Sequence, residues 1–152
     1  YYNYGLGIKL DTGIAQQAER REVRGPGGQG VLRIARIEPL PYDELIRVLR
    51  PADLLYIKND AGRVAHVILW LGEVGVSPDG MPLVIDSTGS GHKDSSGNKI
   101  PIGVHIRPFT PKSWYAHDFS HAHRIIESVA DVRDGEAAEP AEGGELDVGE
   151  PE

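Results

Sequence analysis

The chain has 152 residues, a formal net charge of −7, 39% hydrophobic residues and no cysteine. That length supports one domain with a modest core, no apolar run approaches the roughly 20 residues of a membrane span, and disulfides, thiolate-bound zinc and a cysteine nucleophile are excluded within these residues. The charge is unevenly placed: residues 131–152 carry nine acidic side chains and one basic, so the remainder is close to neutral and offers no clustered basic face for nucleic acid.

The first ten residues, YYNYGLGIKL, read as the end of a helix stopped at Gly5 and Gly7. DTGIAQQAERREV reads as a second helix, capped by Thr12, with Ile14, Ala15, Ala18 and Val23 as a weak apolar stripe. RGPGGQG, from Arg24 to Gly30, is a flexible break. It is no phosphate loop, because no apolar strand precedes it and no Lys-Ser or Lys-Thr follows. PYDELIRVLRP reads as a short helix ended before Pro51.

The second half changes period. ADLLYIKN, RVAHVILWLGEV, MPLVIDSTG, IGVHIRPF and DFSHAHRIIESV are five strand-like runs separated by turn signals in NDAG, SPDG and GSGHKDSSGNKIP. Helices first and antiparallel strands after them predict an α+β domain: N-terminal helices followed by a five-stranded antiparallel sheet or half-barrel. The domain is expected over 1–127. Residues 128–152 form an acidic tail with no aromatic residue, expected to be disordered; a tether or docking arm is its functional reading.

His66 heads a strand that is apolar on both faces, as in a central strand. A histidine there needs a partner or a cleft, because an unpaired polar ring is costly to bury. The next run, PLVIDSTG, ends in Asp86 and is the natural antiparallel neighbour. Asp86 beside His66 would orient the imidazole, fix its tautomer and stabilise its charged form. Read singly, His66 is a strand-end histidine and Asp86 a turn residue; read together, they are the base and orienting carboxylate of a nucleophilic site.

Other candidates are weaker. His117, His121 and His123 in HDFSHAH form a cluster in which His121 and His123 would share a strand face; a zinc site wants three or four ligands with a supporting shell, and a carboxylate ligand would have to be Asp118 or a distant one, so no metal or cofactor is expected and a surface strand is the default. His105 is expected on a solvated strand face, opposite Val104 and Ile106. Trp114 and Tyr115 are expected to pack at the barrel edge. Ser87 and Ser90 lie in a glycine-rich loop that is no nucleophile elbow. His92 and Lys93 in the same loop could meet an anionic substrate, but an ordinary surface hairpin is the stronger reading.

The order of these segments resembles the NlpC-type papain-like cysteine peptidases, bacterial cell-wall hydrolases. Pro51-Ala52-Asp53-Leu54 is similar to the family's Pro-Gly-Asp-Leu, with alanine for glycine. His66-Val67-Ile68-Leu69-Trp70-Leu71-Gly72 is similar to His-Val-Gly-Ile-Tyr-Leu-Gly, with isoleucine for glycine. YYNYGLGIKLDTGIAQQA is similar to the family's aromatic helix, Leu-Gly-Ile-x-Leu turn and Gln-Gln helix. The resemblance covers roughly residues 1–127.

The resemblance implies that His66 is the general base of a Cys-His dyad and that Asp86 stands where the family has a third, polar residue. It implies a peptidoglycan stem peptide or other small peptide as substrate, a γ-D-glutamyl bond as the scissile one, and an extracytoplasmic location. The family's cysteine sits at the start of the aromatic helix, a place that falls ahead of Tyr1. The expectation is therefore the C-terminal portion of a cysteine peptidase or amidase, inactive by itself. The alternative is a non-catalytic module on the same scaffold that binds wall peptides or a protein partner.

Overall fold

The computed structural model describes residues 1–89, 93 and 97–125. In chain order the elements are α1 (Tyr2–Gly5), α2 (Ile14–Glu19), β1 (Glu22–Arg24), β2 (Val31–Arg33), β3 (Ala35–Ile37), α3 (Tyr42–Val48), β4 (Leu54–Lys58), β5 (Val64–Val76), β6 (Pro82–Thr88), β7 (Gly103–Pro108), α4 (Trp114–His117) and β8 (Phe119–Arg124). β1 and β2 form a small ribbon. The other six strands form one antiparallel sheet in the order β3-β8-β4-β5-β6-β7. The segment 128–152, expected to be a disordered tail, lies outside the described residues.

The expected architecture of N-terminal helices followed by a five-stranded sheet or half-barrel is corrected. The described residues are dominated by strands, the main sheet has six of them, and the helices are of 4, 6, 7 and 4 residues. The difference arises between residues 20 and 37. α2 ends when Arg20 turns extended (φ −67, ψ 142), and its N-cap is Gly13, not Thr12. The chain then runs into β1, and the glycines of GPGGQG close the ribbon, with Gly27, Gly28 and Gly30 at φ 62, 81 and 62. β3 follows at once and joins the main sheet beside β8. Three-residue strands are too short to display a period, which is why this segment reads as helix and break.

At its centre the sheet is buried on both faces. β4 alternates: Leu55 and Ile57 point to a face packed by α3 and α4, with Trp70, Val84, Phe109 and Tyr115. Leu54 and Tyr56 point to the other face, packed by Tyr2 of α1, Ile8 and Ala18 of α2. Each such large side chain removed from water contributes about 1.5–3 kcal/mol. At the start of β4 a buried ion pair ties three elements. Arg124 of β8 meets Asp53 through Nε–Oδ1 at 3.0 Å and Nη2–Oδ2 at 2.7 Å, and also donates to the Val48 carbonyl at the end of α3. The Arg50 N–H completes the carboxylate's partners at 2.8 Å.

Two side-chain placements also differ from expectation. Val104 and Ile106 lie on the exposed face of β7, at 71% and 64%, while His105 lies on the face of Asp86, its register partner. His121 and His123 are not on a surface strand; they are 2% and 1% exposed, stacked around Tyr56 beneath α2. β8 passes between β3 and β4, so both of its edges are paired, and its successive residues are buried on either face of the sheet.

Candidate active site

β5 and β6 pair with Leu69 opposite Ile85 and Trp70 opposite Val84. Continuing that register sets Asp86 two residues across from His66, on the same face, as diagonal neighbours. The His66 Nε2 lies 2.6 Å from Asp86 Oδ1. Nε2–H therefore donates to the carboxylate, and Nδ1 is left as the basic nitrogen. Among the described residues, Nδ1 has no hydrogen-bond partner. The two residues singled out in the sequence are thus brought together.

Asp86 is held from several sides. Its carboxylate also accepts from the Tyr115 hydroxyl on α4, accepts from Thr88 Oγ1 at 3.3 Å, and faces Arg107 Nε on β7 at 3.6 Å. Burial works to raise its pKa; the hydrogen bonds from His66 and Tyr115 and the nearby charges of His66 and Arg107 outweigh it and lower the pKa to about 2. The Tyr115 phenol moves the other way, well above its ordinary value, through its burial and the adjoining carboxylate. Asp86 is a fixed anion. Its side chain is 4% exposed and that of His66 is 24%, so the anion is sealed while the ring reaches solvent.

The ring opens onto two spaces. A cavity of about 30 Å³ lies behind it, among Asp86, Thr88, Arg107 and Tyr115, with the volume of a bound water or two. A cleft of about 490 Å³ lies in front, lined by Lys58, Asn59, Asp60, Ala65, His66, Lys93, Trp114 and Asp118. That volume is within the range of small-ligand sites. Trp114 forms one wall, its ring centroid 5.5 Å from that of His66, and is 42% exposed. The two lysines and two aspartates balance, so the cleft is polar without a dominant sign.

Sequence reasoning missed Tyr115, Arg107 and Thr88 as partners of Asp86. Arg107 and Thr88 had a signal: each is two residues from a position paired across the β6–β7 ladder, on the Asp86 face. Tyr115, assigned to edge packing, had none, because α4 reaches the site only through the tertiary fold.

The other candidates stand elsewhere. Ser87 is exposed and points away from Asp86, and Ser90 and His92 lie outside the described residues. His105 donates its Nε2–H to the Pro101 carbonyl at 2.8 Å, away from the His66 site. His117 pairs with Asp118 on the surface. Among the described residues no group of three or more His, Asp or Glu could hold a metal. No residue of α1 lines either space at His66, and Tyr2 packs on the opposite face of the sheet, with its hydroxyl donating to Ala52. No helix among the described residues is long and apolar enough to cross a membrane.

Comparison with protein-family models, with curated proteins and with solved structures found no match to this chain.

Proposed function

We propose that His66 and Asp86 are the base and orienting carboxylate of a peptidase or amidase of the NlpC type, whose thiol nucleophile is not among these 152 residues. The supporting observation is the 2.6 Å contact that leaves Nδ1 basic and next to a ligand-sized cleft. In this reading a thiolate attacks the amide carbonyl, His66 passes a proton to the leaving amine and then activates water to release the acyl group. Asp86 keeps the ring in one tautomer and balances its charge when protonated. The substrate would be a peptidoglycan stem peptide or other small peptide, and a cell-envelope location goes with it. Because α1 packs on the far face, the reading requires the nucleophile to approach His66 from chain other than α1.

One observation favours a second reading, a peptide- or protein-binding module on the same scaffold. At the site the one aliphatic hydroxyl among the described residues, Thr88, donates to Asp86 and is not free to attack.

Hydrolysis of a γ-D-glutamyl-linked stem peptide separates the two. The 152-residue chain is expected to show no turnover. A longer form of the chain that carries a cysteine ahead of Tyr1 is expected to turn the peptide over. His66→Ala should abolish that turnover, and Asp86→Asn should lower it by about 10²–10⁴-fold. Turnover by the 152-residue chain, lost in His66→Ala, would refute the missing nucleophile. Saturable peptide binding with no turnover by either protein selects the binding module.

A further inference from the structure

A second cleft, of about 400 Å³, opens at the other end of β5, between the C-terminal turn of α3 and the β5–β6 hairpin. It shares no lining residue with the spaces at His66. Arg47, Arg50 and Trp70 line it, and between them they carry two guanidinium groups and an indole N–H as hydrogen-bond donors. Among the described residues none of the three side chains has a hydrogen-bond or ion-pair partner. Both arginines are exposed, which alone would be unremarkable. The tryptophan is different. Its side chain is 1% exposed and packed in the core against Phe109, so its orientation is fixed. A buried indole N–H ordinarily finds an acceptor.

The Trp70 nitrogen is not sealed off. Among the described residues His123 Nδ1 is the sole side-chain nitrogen or oxygen that is both closed from solvent and unpartnered. The indole N–H is kept open by Gly72. A Cβ at that position would lie 2.3 Å from Trp70 Nε1, and the backbone there has φ +54. A residue with a side chain would be strained and would cover the donor. The cleft is thus built around three unsatisfied donors, two of them cationic, with no acidic side chain described in its lining. Leu49, Pro51 and Pro82 give it apolar walls.

We propose that this cleft is a binding site for a small organic oxyanion, a carboxylate or phosphate carried on an apolar arm. The arginines supply charge and forked donors for the oxyanion, the Trp70 N–H supplies a rigid third donor, and the walls take the arm. The site stands about four β-strand residues, on the order of 13 Å, from His66 along β5. It is independent of the reading proposed for His66.

The test is a titration of the 152-residue chain followed by the indole N–H resonances of its two tryptophans, assigned with Trp114→Phe. Inorganic phosphate and hexanoate are the two probes. Hexanoate should shift the Trp70 resonance saturably, and phosphate more weakly. The double variant R47Q/R50Q, altered at exposed side chains that hold nothing in place, should raise the hexanoate Kd at least tenfold while its amide spectrum stays that of the folded chain. Saturation by phosphate alone would keep the oxyanion site and overturn the apolar arm. A Trp70 resonance that neither probe moves, or a hexanoate Kd unchanged in R47Q/R50Q, overturns the proposal.

Discussion

Ala52 holds a left-handed backbone conformation, φ +75, the one non-glycine residue among those described to do so. An alanine there costs about 1–2 kcal/mol against a right-handed or extended backbone. The conformation persists because the neighbours over-determine it: Ala52 N–H donates to the Trp70 carbonyl, its own carbonyl accepts from Tyr2, and Asp53 next to it is locked to Arg124. Ala52→Gly should stabilise the fold by about 0.5–1 kcal/mol, the relieved strain less the extra chain entropy of glycine. Urea unfolding measures this, and an unchanged or lower midpoint would show that the strain is not stored there. At this scale the sequence was most legible. His66 and Asp86 stand at positions where a chemical residue interrupts an apolar strand, and such interruptions are visible in one dimension. Arg107 is marked only once the β6–β7 register is known, and Tyr115 is marked by nothing in its stretch; packing alone brings it to the carboxylate.

β8 shows what an element's alternation hides. SHAH reads as a polar face because histidines alternate with small residues, yet the strand runs through the middle of the sheet. His121 Nε2–H donates to the Ala18 carbonyl of α2 and its Nδ1 accepts from Ser120. His123 Nδ1 has no partner. Around the pair stand His121 or His123 itself, Tyr56 on β4, Arg36 on β3, and more distantly Glu38 and Glu19. Burial, then the neighbouring His121 and Arg36, bring the His123 pKa down to about 4, and burial also lowers that of His121. The folded chain therefore binds fewer protons than the unfolded chain between about pH 6.5 and 4. Stability is full above pH 6.5 and declines as the pH falls through that window, with His123 contributing a loss on the order of 3 kcal/mol. Asp86 adds a separate loss below about pH 3.8, as its carboxylate is protonated toward its folded value of about 2. Urea midpoints at pH 7, 5 and 4 should fall in that order, and His123→Leu should flatten the slope. A flat profile in the unaltered protein would mean that the pair is already charged or accessible.

For the molecule as a whole, the five long strands could be read from their runs, whereas their order in the sheet could not. Adjacent runs suggest a meander, and β4 to β7 form one. Nothing local announces that β8 returns across the sheet to lie between β3 and β4, or that a ribbon and a sixth strand fold out of a glycine-rich stretch. That return pairs Leu54 with His123, and it joins Asp53 to Arg124, 71 residues away. Contacts of such long sequence separation slow folding. A further consequence concerns synthesis. Because the last described strand is an interior one, β3 has no neighbour in the main sheet until Arg124 has left the ribosome. The nascent chain can hold the β4–β7 meander but cannot close over it. Ribosome-tethered chains of increasing length should stay protease-sensitive until the linker frees residue 124, and then become resistant in one step. Gradual protection, strand by strand, would show that the meander is stable without its return strand.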